Sequence, residues 1–218
     1  MPILCAVLTG DLINSTKAGA AALAGAMVTL TDCVRRIEDW TPGSDNRFTR
    51  SRGDGWQIVL GDPALALRAA LLIQARLSAA TERLTSRIAI GIGAADTLGS
   101  RDLSDASGSA FTLSGQGLDT MARQGRLAVT GVNAAPFLQA IADLADEIAR
   151  RWSVEQAEAM ALALPPDDPT LKTMALQLGI STQAVNYRLQ GAGLRPIRAA
   201  LRGWEAGFAE GLVNGGDA

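Results

Sequence analysis

The chain has 218 residues, of which 48% are apolar, and a formal net charge of −2. That balance supplies enough apolar side chain for a packed core. It excludes an intrinsically disordered chain and a uniformly basic nucleic-acid binder, though not a local basic patch. With no histidine present, histidine catalysis and histidine metal ligation are excluded, and a metal site has to rest on carboxylates, which suit Mg2+, Mn2+ or Ca2+. The two cysteines, Cys5 and Cys33, have no zinc spacing and read as buried free thiols in a reducing cytosol. Met1 to Leu8 is too short for a signal peptide and runs straight into Asp11, and no apolar run reaches membrane length. A cytoplasmic protein that makes no use of a membrane is expected.

In chain order, Ile3–Leu8 is a continuous apolar run that reads as a central strand buried on both faces. Asp11 follows at its carboxyl end, and an Ala-rich helix then runs to about Asp39, with Ser15 or Thr16 as N-cap. A helix N-terminus there suits an anion such as a triphosphate, and the adjacent carboxylate suits its metal. The alternative is that Asp11 only forms the helix entry. Arg47–Arg52 and Trp56–Leu60 flank Gly53-Asp54-Gly55 and read as a tight hairpin, with Asp54 at the tip as a ligand or simply as a turn former. Asp62 and Pro63 open a second helix to about Ala80, whose Leu65, Leu67, Ala70, Leu71, Ile73 and Leu77 form a core face. Arg87–Ala94 is a strand whose Gly91 and Gly93 admit close approach by a helix or a ligand. A polar loop, a helix from about Ser109 to Gln124 and a short strand from Arg126 to Thr130 complete the first part.

The fold class expected is α+β. A ferredoxin-like βαββαβ domain over residues 1–132 is followed by a connecting helix over 133–150 and an all-α domain over 151–218. In that arrangement Asp11 and Asp54 face one another across a gap, placed for two metals about 4 Å apart. The connecting helix carries an apolar stripe of Phe137, Leu138, Ile141, Leu144, Ala145 and Ile148 for core or dimer contact. Ser153 and Gln156 form a capping box, Pro165 to Pro169 is a hard break, and Asp168 and Pro169 start the next helix.

Met174 to Leu189 resembles a helix-turn-helix. Ala175 allows close crossing, Gly179 makes the turn, Ile180 plugs the core, Ser181 caps the second helix, and Val185 and Leu189 anchor it. Gln183, Asn186, Tyr187 and Arg188 are left for solvent or a DNA groove, and Lys172 adds a cation. From Thr170 to Arg202 the charged residues are Lys172, Arg188, Arg195, Arg198 and Arg202, with no acid among them. The alternative is a helical hairpin used only for packing or dimerisation. The last helix, Pro196 to about Phe208, offers Leu201, Trp204 and Phe208 for packing or dimer contact.

Three blocks, Asp11-Leu12-Ile13-Asn14-Ser15-Thr16, Arg52-Gly53-Asp54-Gly55-Trp56 and Ile88-Ala89-Ile90-Gly91-Ile92-Gly93, resemble in order and spacing the class III nucleotide cyclases. The resemblance implies that Asp11 and Asp54 bind two metal ions, Mg2+ or Mn2+, on a nucleoside triphosphate held near Asn14, Ser15 and Thr16. Ser114 to Arg123 resembles the cyclase helix that carries an Asn and an Arg for the transition state. Arg123 falls on the Arg, and Asp119 stands where the Asn is expected. Arg50 and Thr112 take the two base-reading positions, where Lys and Asp are usual. An acid at 119 would repel a transferring phosphate. Over nearly the whole chain, Gly108-Ser109-Ala110-Phe111, Ser114-Gly115 and Arg151-Trp152-Ser153-Val154-Glu155-Gln156-Ala157 are similar to the bacterial SatD family. The expected function is a homodimeric DNA-binding transcriptional regulator whose cyclase-like half dimerises or senses a nucleotide. The alternatives are a divalent-metal-dependent cyclase or related phosphoryl-transfer enzyme, and an inactive scaffold.

Overall fold

A computed structural model describes residues 3–51, 53–99, 102–131, 135–211 and 213. It is an α+β structure, with a five-stranded mixed sheet and eight α-helices among the described residues. Strand β1 (Ile3–Leu12) lies between two antiparallel neighbours, β3 (Gly55–Leu60) and β4 (Ser86–Ala95). At one edge β2 (Arg47–Arg50) pairs antiparallel with β3, and at the other β5 (Leu127–Thr130) pairs parallel with β4. The order is β2-β3-β1-β4-β5.

Residues alternate between the faces of a strand. Ala6, Leu8, Ile88, Ile90 and Ile92 join the large core on one face, while Cys5 and Val7 join a smaller cluster on the other. Helices α1 (Ser15–Glu38) and α2 (Ala66–Ala79) contribute to the large core, and α3 (Ser109–Thr120) covers the second face through Ala110. The close approach expected at the β4 glycines is made by α3. A Cβ at Gly91 would lie 2.4 Å from the Ala110 carbonyl oxygen and from the Ser114 amide nitrogen. Asp62 caps the short 3-10 turn Pro63–Leu65 that leads into α2, accepting from the Ala64 amide at 2.9 Å. Leu67, Ala70, Leu71, Ile73 and Leu77 are buried, and Leu65 is half-buried.

Several boundaries differ from expectation. β1 runs on through Asp11 to Leu12, because Asp11 pairs with Gly55 on one side and Arg87 on the other. The residue at the start of α1 is Asn14, in the left-handed region (φ 61°), rather than Ser15 or Thr16. Ser15 is already helical, and its hydroxyl is spent on Asp54. Gly19 (φ 86°, ψ 170°) then breaks α1, so its long regular part starts at Ala20. α3 stops at Thr120, where Met121 turns extended (ψ 131°), and so ends before Arg123. An 18-residue window of α1 has mean hydropathy 1.2, long and apolar enough by composition to cross a membrane. Its Met27, Leu30, Cys33, Val34 and Ile37 are nonetheless buried in the large core.

The C-terminal part is helical: α4 (Ala135–Ala149), α5 (Val154–Ala163), α6 (Leu171–Leu178), α7 (Thr182–Gly191) and α8 (Leu194–Ala209). On α4 the expected stripe divides. Leu138 and Ala145 are buried and Ile141 and Ile148 half-buried, while Phe137 and Leu144 are 62% and 69% exposed. The capping box of α5 forms in both directions, Gln156 N to Ser153 Oγ at 3.2 Å and Ser153 N to Gln156 Oε1 at 2.9 Å. After the proline break, α6 is capped by Thr170 rather than by Asp168, which sits at φ 48° and pairs with Arg198.

Residues before position 132 and after position 150 share one continuous buried cluster, from Leu67 and Leu71 to Met160 and Trp204. Polar contacts reinforce that seam. Arg68 donates to Glu205 Oε1 from Nε (2.8 Å) and to the Leu164 carbonyl from Nη1 (2.6 Å), and the Trp204 indole donates to the Pro63 carbonyl at 3.3 Å.

Candidate functional site

The acidic residues expected from the sequence converge at one end of β1. Gly55 is the register partner of Asp11, which brings Asp54 next to it across the β1–β3 ladder. The residue that organises this end is Arg87, opposite Asp11 on β4. Its Nε donates to Asp11 Oδ1 at 2.9 Å and its Nη2 donates to Oδ2. This is the two-pronged geometry in which guanidinium and carboxylate bind most strongly. The hydrogen bond to Asp11 raises the Arg87 pKa above its ordinary value, partial burial opposes this, and the charges of Asp11, Asp54 and Asp119 add to the rise. Asp54 is held separately by the Ser15 hydroxyl, which donates to Oδ2.

Asp119, in the last turn of α3, is exposed and within electrostatic reach of Arg87. Arg123 lies beyond the end of α3, is exposed, and makes no hydrogen bond or ion pair with this group among the described residues. Thr112 is exposed two turns before Asp119. Arg50 turns back on its own hairpin, donating from Nη2 to the Gly53 carbonyl at 3.0 Å. Asn14 and Thr16 are exposed, and Asn14 makes no side-chain capping bond. Ser15, Thr16, Gly19, Gly53 and Asp54 line a shallow cleft of about 240 Å³, below the roughly 300–1,000 Å³ usual for a ligand pocket.

Both Asp11 oxygens are engaged by Arg87, so Asp11 has no carboxylate oxygen free of that pairing for a divalent cation. No group of three or more His, Cys, Asp or Glu residues able to hold a metal ion occurs among the described residues. A metal at Asp11 would first have to displace Arg87. The sequence signal for Arg87 was a lone cation at the start of an otherwise apolar strand.

The second group of expected residues lies on α6 and α7. Gly179, in the left-handed region (φ 65°, ψ 29°), ends α6, and Ser181 caps α7 by accepting from the Ala184 amide at 3.1 Å. Met174, Ala175, Val185 and Leu189 are buried between the helices, with Ile180 half-buried. Gln183 and Tyr187 are exposed, Asn186 is half-buried, and Lys172 is exposed on α6. Arg188 lines a surface cleft with Gln183 and Tyr187, and its Nη1 donates to Glu158 of α5 at 3.1 Å. Helix α8 supplies what the sequence reading left to packing. Arg195, Arg198 and Arg202, at helical spacing, line a groove of about 410 Å³ with Asn186 and Gln190 of α7. Arg198 pairs with Asp168, whereas Arg195, Arg202 and Lys172 have no acidic partner among the described residues.

No protein-family model and no curated protein matches the chain.

Proposed function

We propose that the chain is a cytoplasmic DNA-binding transcriptional regulator, similar to the SatD family, that acts as a homodimer. In this reading α6 and α7 are a helix-turn-helix, and the sheet half is a ferredoxin-like, cyclase-like domain that dimerises or senses a nucleotide. The observation that carries it is the surface of α7 and α8. Gln183 and Tyr187 are exposed on α7, and the same helix contributes Asn186 to a groove edged by Arg195 and Arg202, cations without an acidic partner among the described residues. Amides and guanidinium groups read base edges, and unpaired cations bind phosphates. The buried anchors Val185 and Leu189 and the left-handed Gly179 supply the tight crossing that a recognition helix needs. The strand order β2-β3-β1-β4, antiparallel at each neighbour, supports the ferredoxin-like reading of the sheet half. The phosphoryl-transfer alternative is disfavoured by the engagement of Asp11 with Arg87 and of Asp54 with Ser15. A nucleotide with its Mg2+ or Mn2+ would have to release Arg87 first.

The test is fluorescence anisotropy of a labelled random-sequence duplex at low salt, followed by selection of bound genomic fragments. Salt-dependent binding, weakened by Gln183→Ala and Arg195→Gln together, is expected. No duplex binding at low salt would refute the reading.

A further inference from the structure

A cleft of about 830 Å³ lies away from both groups above, between the C-terminal half of α1, the end of α2 and the helices α5 and α6. Two arginines line it, Arg36 in the last turn of α1 and Arg76 in the last turn of α2. Neither has a carboxylate partner within ion-pair distance among the described residues, and Arg76 Nε is shielded from solvent with no hydrogen-bond acceptor. An unpaired buried donor on a permanently charged group is costly. Two ordinary explanations fall short. Cations are favoured at helix C-termini, which accounts for the positions but not for the missing acceptor. The Cys33 thiol lies beside Arg76 and is hydrogen-bonded to its side chain, but it is not a counter-anion and leaves Nε without an acceptor: burial pushes the thiol pKa up to about 12, against the lowering effect of Arg76 and Arg36.

The rest of the lining is mixed: Val28, Ala161 and Leu162 give it apolar walls, and Thr29, Thr81 and Gln177 add polar groups. Its acids are Glu158, already engaged by Arg188, and Glu82, which lies over Gly25. Two guanidinium charges match a dianion, and the apolar walls match a body larger than the anion alone. We propose that this cleft binds a small phosphate monoester with an apolar body, its phosphate held by Arg36 and Arg76. The site stands whether or not the chain binds DNA, and its ligand would touch α1 and α2 on one side and α6 on the other.

Isothermal calorimetry of the full chain with phenyl phosphate and with inorganic phosphate tests this. Phenyl phosphate is expected to bind at one site per chain, more tightly than inorganic phosphate. Arg76→Gln should weaken it about tenfold or more, the size of one lost charge-assisted hydrogen bond. Arg36→Gln, on the exposed end of α1, should weaken it without affecting folding. Glu82→Gln should tighten it, since a rim carboxylate repels the dianion. The proposal is overturned if wild type binds neither probe. It is equally overturned if Arg36→Gln and Arg76→Gln leave phenyl phosphate affinity unchanged, or, should Arg76→Gln fail to fold, if Arg36→Gln and Glu82→Gln leave it unchanged.

Discussion

Five cations and no acid between Thr170 and Arg202 look like five phosphate contacts, but the structure leaves three of them without an acidic partner. Arg188 is paired with Glu158 and Arg198 with Asp168, while Lys172, Arg195 and Arg202 have no acidic partner among the described residues. Each cation that neutralises a phosphate steepens the dependence of log K on log salt by about 0.9, so three per chain give a slope near −2.7 and five would give about −4.5. Between 50 and 200 mM salt that is a loss of about 40-fold rather than about 500-fold per chain. Arg195→Gln should therefore flatten the slope by about 0.9 per chain. Arg188→Gln should leave the slope unchanged and cost only the partly exposed pair with Glu158, roughly 0.2–1 kcal/mol of stability. Anisotropy titrations of a labelled duplex across a salt series measure both. A slope that flattens equally for Arg188→Gln and Arg195→Gln, or that ignores Arg195→Gln, refutes the assignment of the basic groove on α8 as the phosphate surface.

Arg87→Gln should free Asp11 and strengthen Mn2+ binding measured by electron paramagnetic resonance; equal affinity in wild type and variant would show that Arg87 does not control access to Asp11. Gly91→Ala drives a methyl against the α3 backbone at 2.4 Å and should cost at least about 1–3 kcal/mol in urea unfolding. Gly115→Ala on the same helix, with nothing within 4 Å of the new methyl, should instead stabilise by up to about 1 kcal/mol. Burial raises Cys5 from 9.0 to about 11 and Cys33 from 9.0 to about 12. The folded state then keeps protons that the unfolded chain releases, so this contribution is complete below pH 9 and is lost as pH rises toward the folded values. The slope is about 1.4 kcal/mol per pH unit for each thiol. Cys33→Ala should flatten that decline in unfolding titrations between pH 9 and 11, and an unchanged decline would show that the thiol does not contribute.

Where a side chain's environment is set by strand alternation or by local capping, the sequence was enough. The isoleucines and glycines of β4 sort onto opposite faces by period two, and Asp62 and Ser153 cap through contacts no more than three residues away. What could not be read was partner choice over long separations. Arg87 and Asp11 are 76 residues apart, Arg188 and Glu158 are 30 apart, and Ser15 reaches Asp54 across 39. Each of these pairings changes what a candidate site residue has free to offer. Asp11 looks like an open carboxylate and is engaged by a guanidinium; Arg188 looks like a base reader and is turned toward α5. Helix ends were misjudged for a related reason. Ser15 has the right side chain for a cap, but a half-buried carboxylate partner outcompetes the backbone amides for its hydroxyl.

Helix α8 then has two duties on two faces. Arg195, Arg198 and Arg202 edge the groove beside α7, while Ile197, Leu201 and Trp204 are buried in the core shared with the sheet half. Glu205 on the same helix takes Arg68 of α2, and the Trp204 indole takes the Pro63 carbonyl at the entry to α2. The basic surface is thereby anchored on α2, which carries Arg76 in its last turn, in the 830 Å³ cleft. A phosphate monoester drawn onto Arg36 and Arg76 would act on the helix that carries α8 and, through Gln177 and Leu178, on α6. Coupling between two sites requires a ligand that distinguishes two arrangements of the elements joining them. Here the joining elements are specific: α2 to α8 through Arg68–Glu205, with Trp204 on the turn before α2, and α5 to α6 beside the cleft. If the chain binds DNA through α7 and α8, a ligand in the cleft changes that affinity only by shifting one of these two seams.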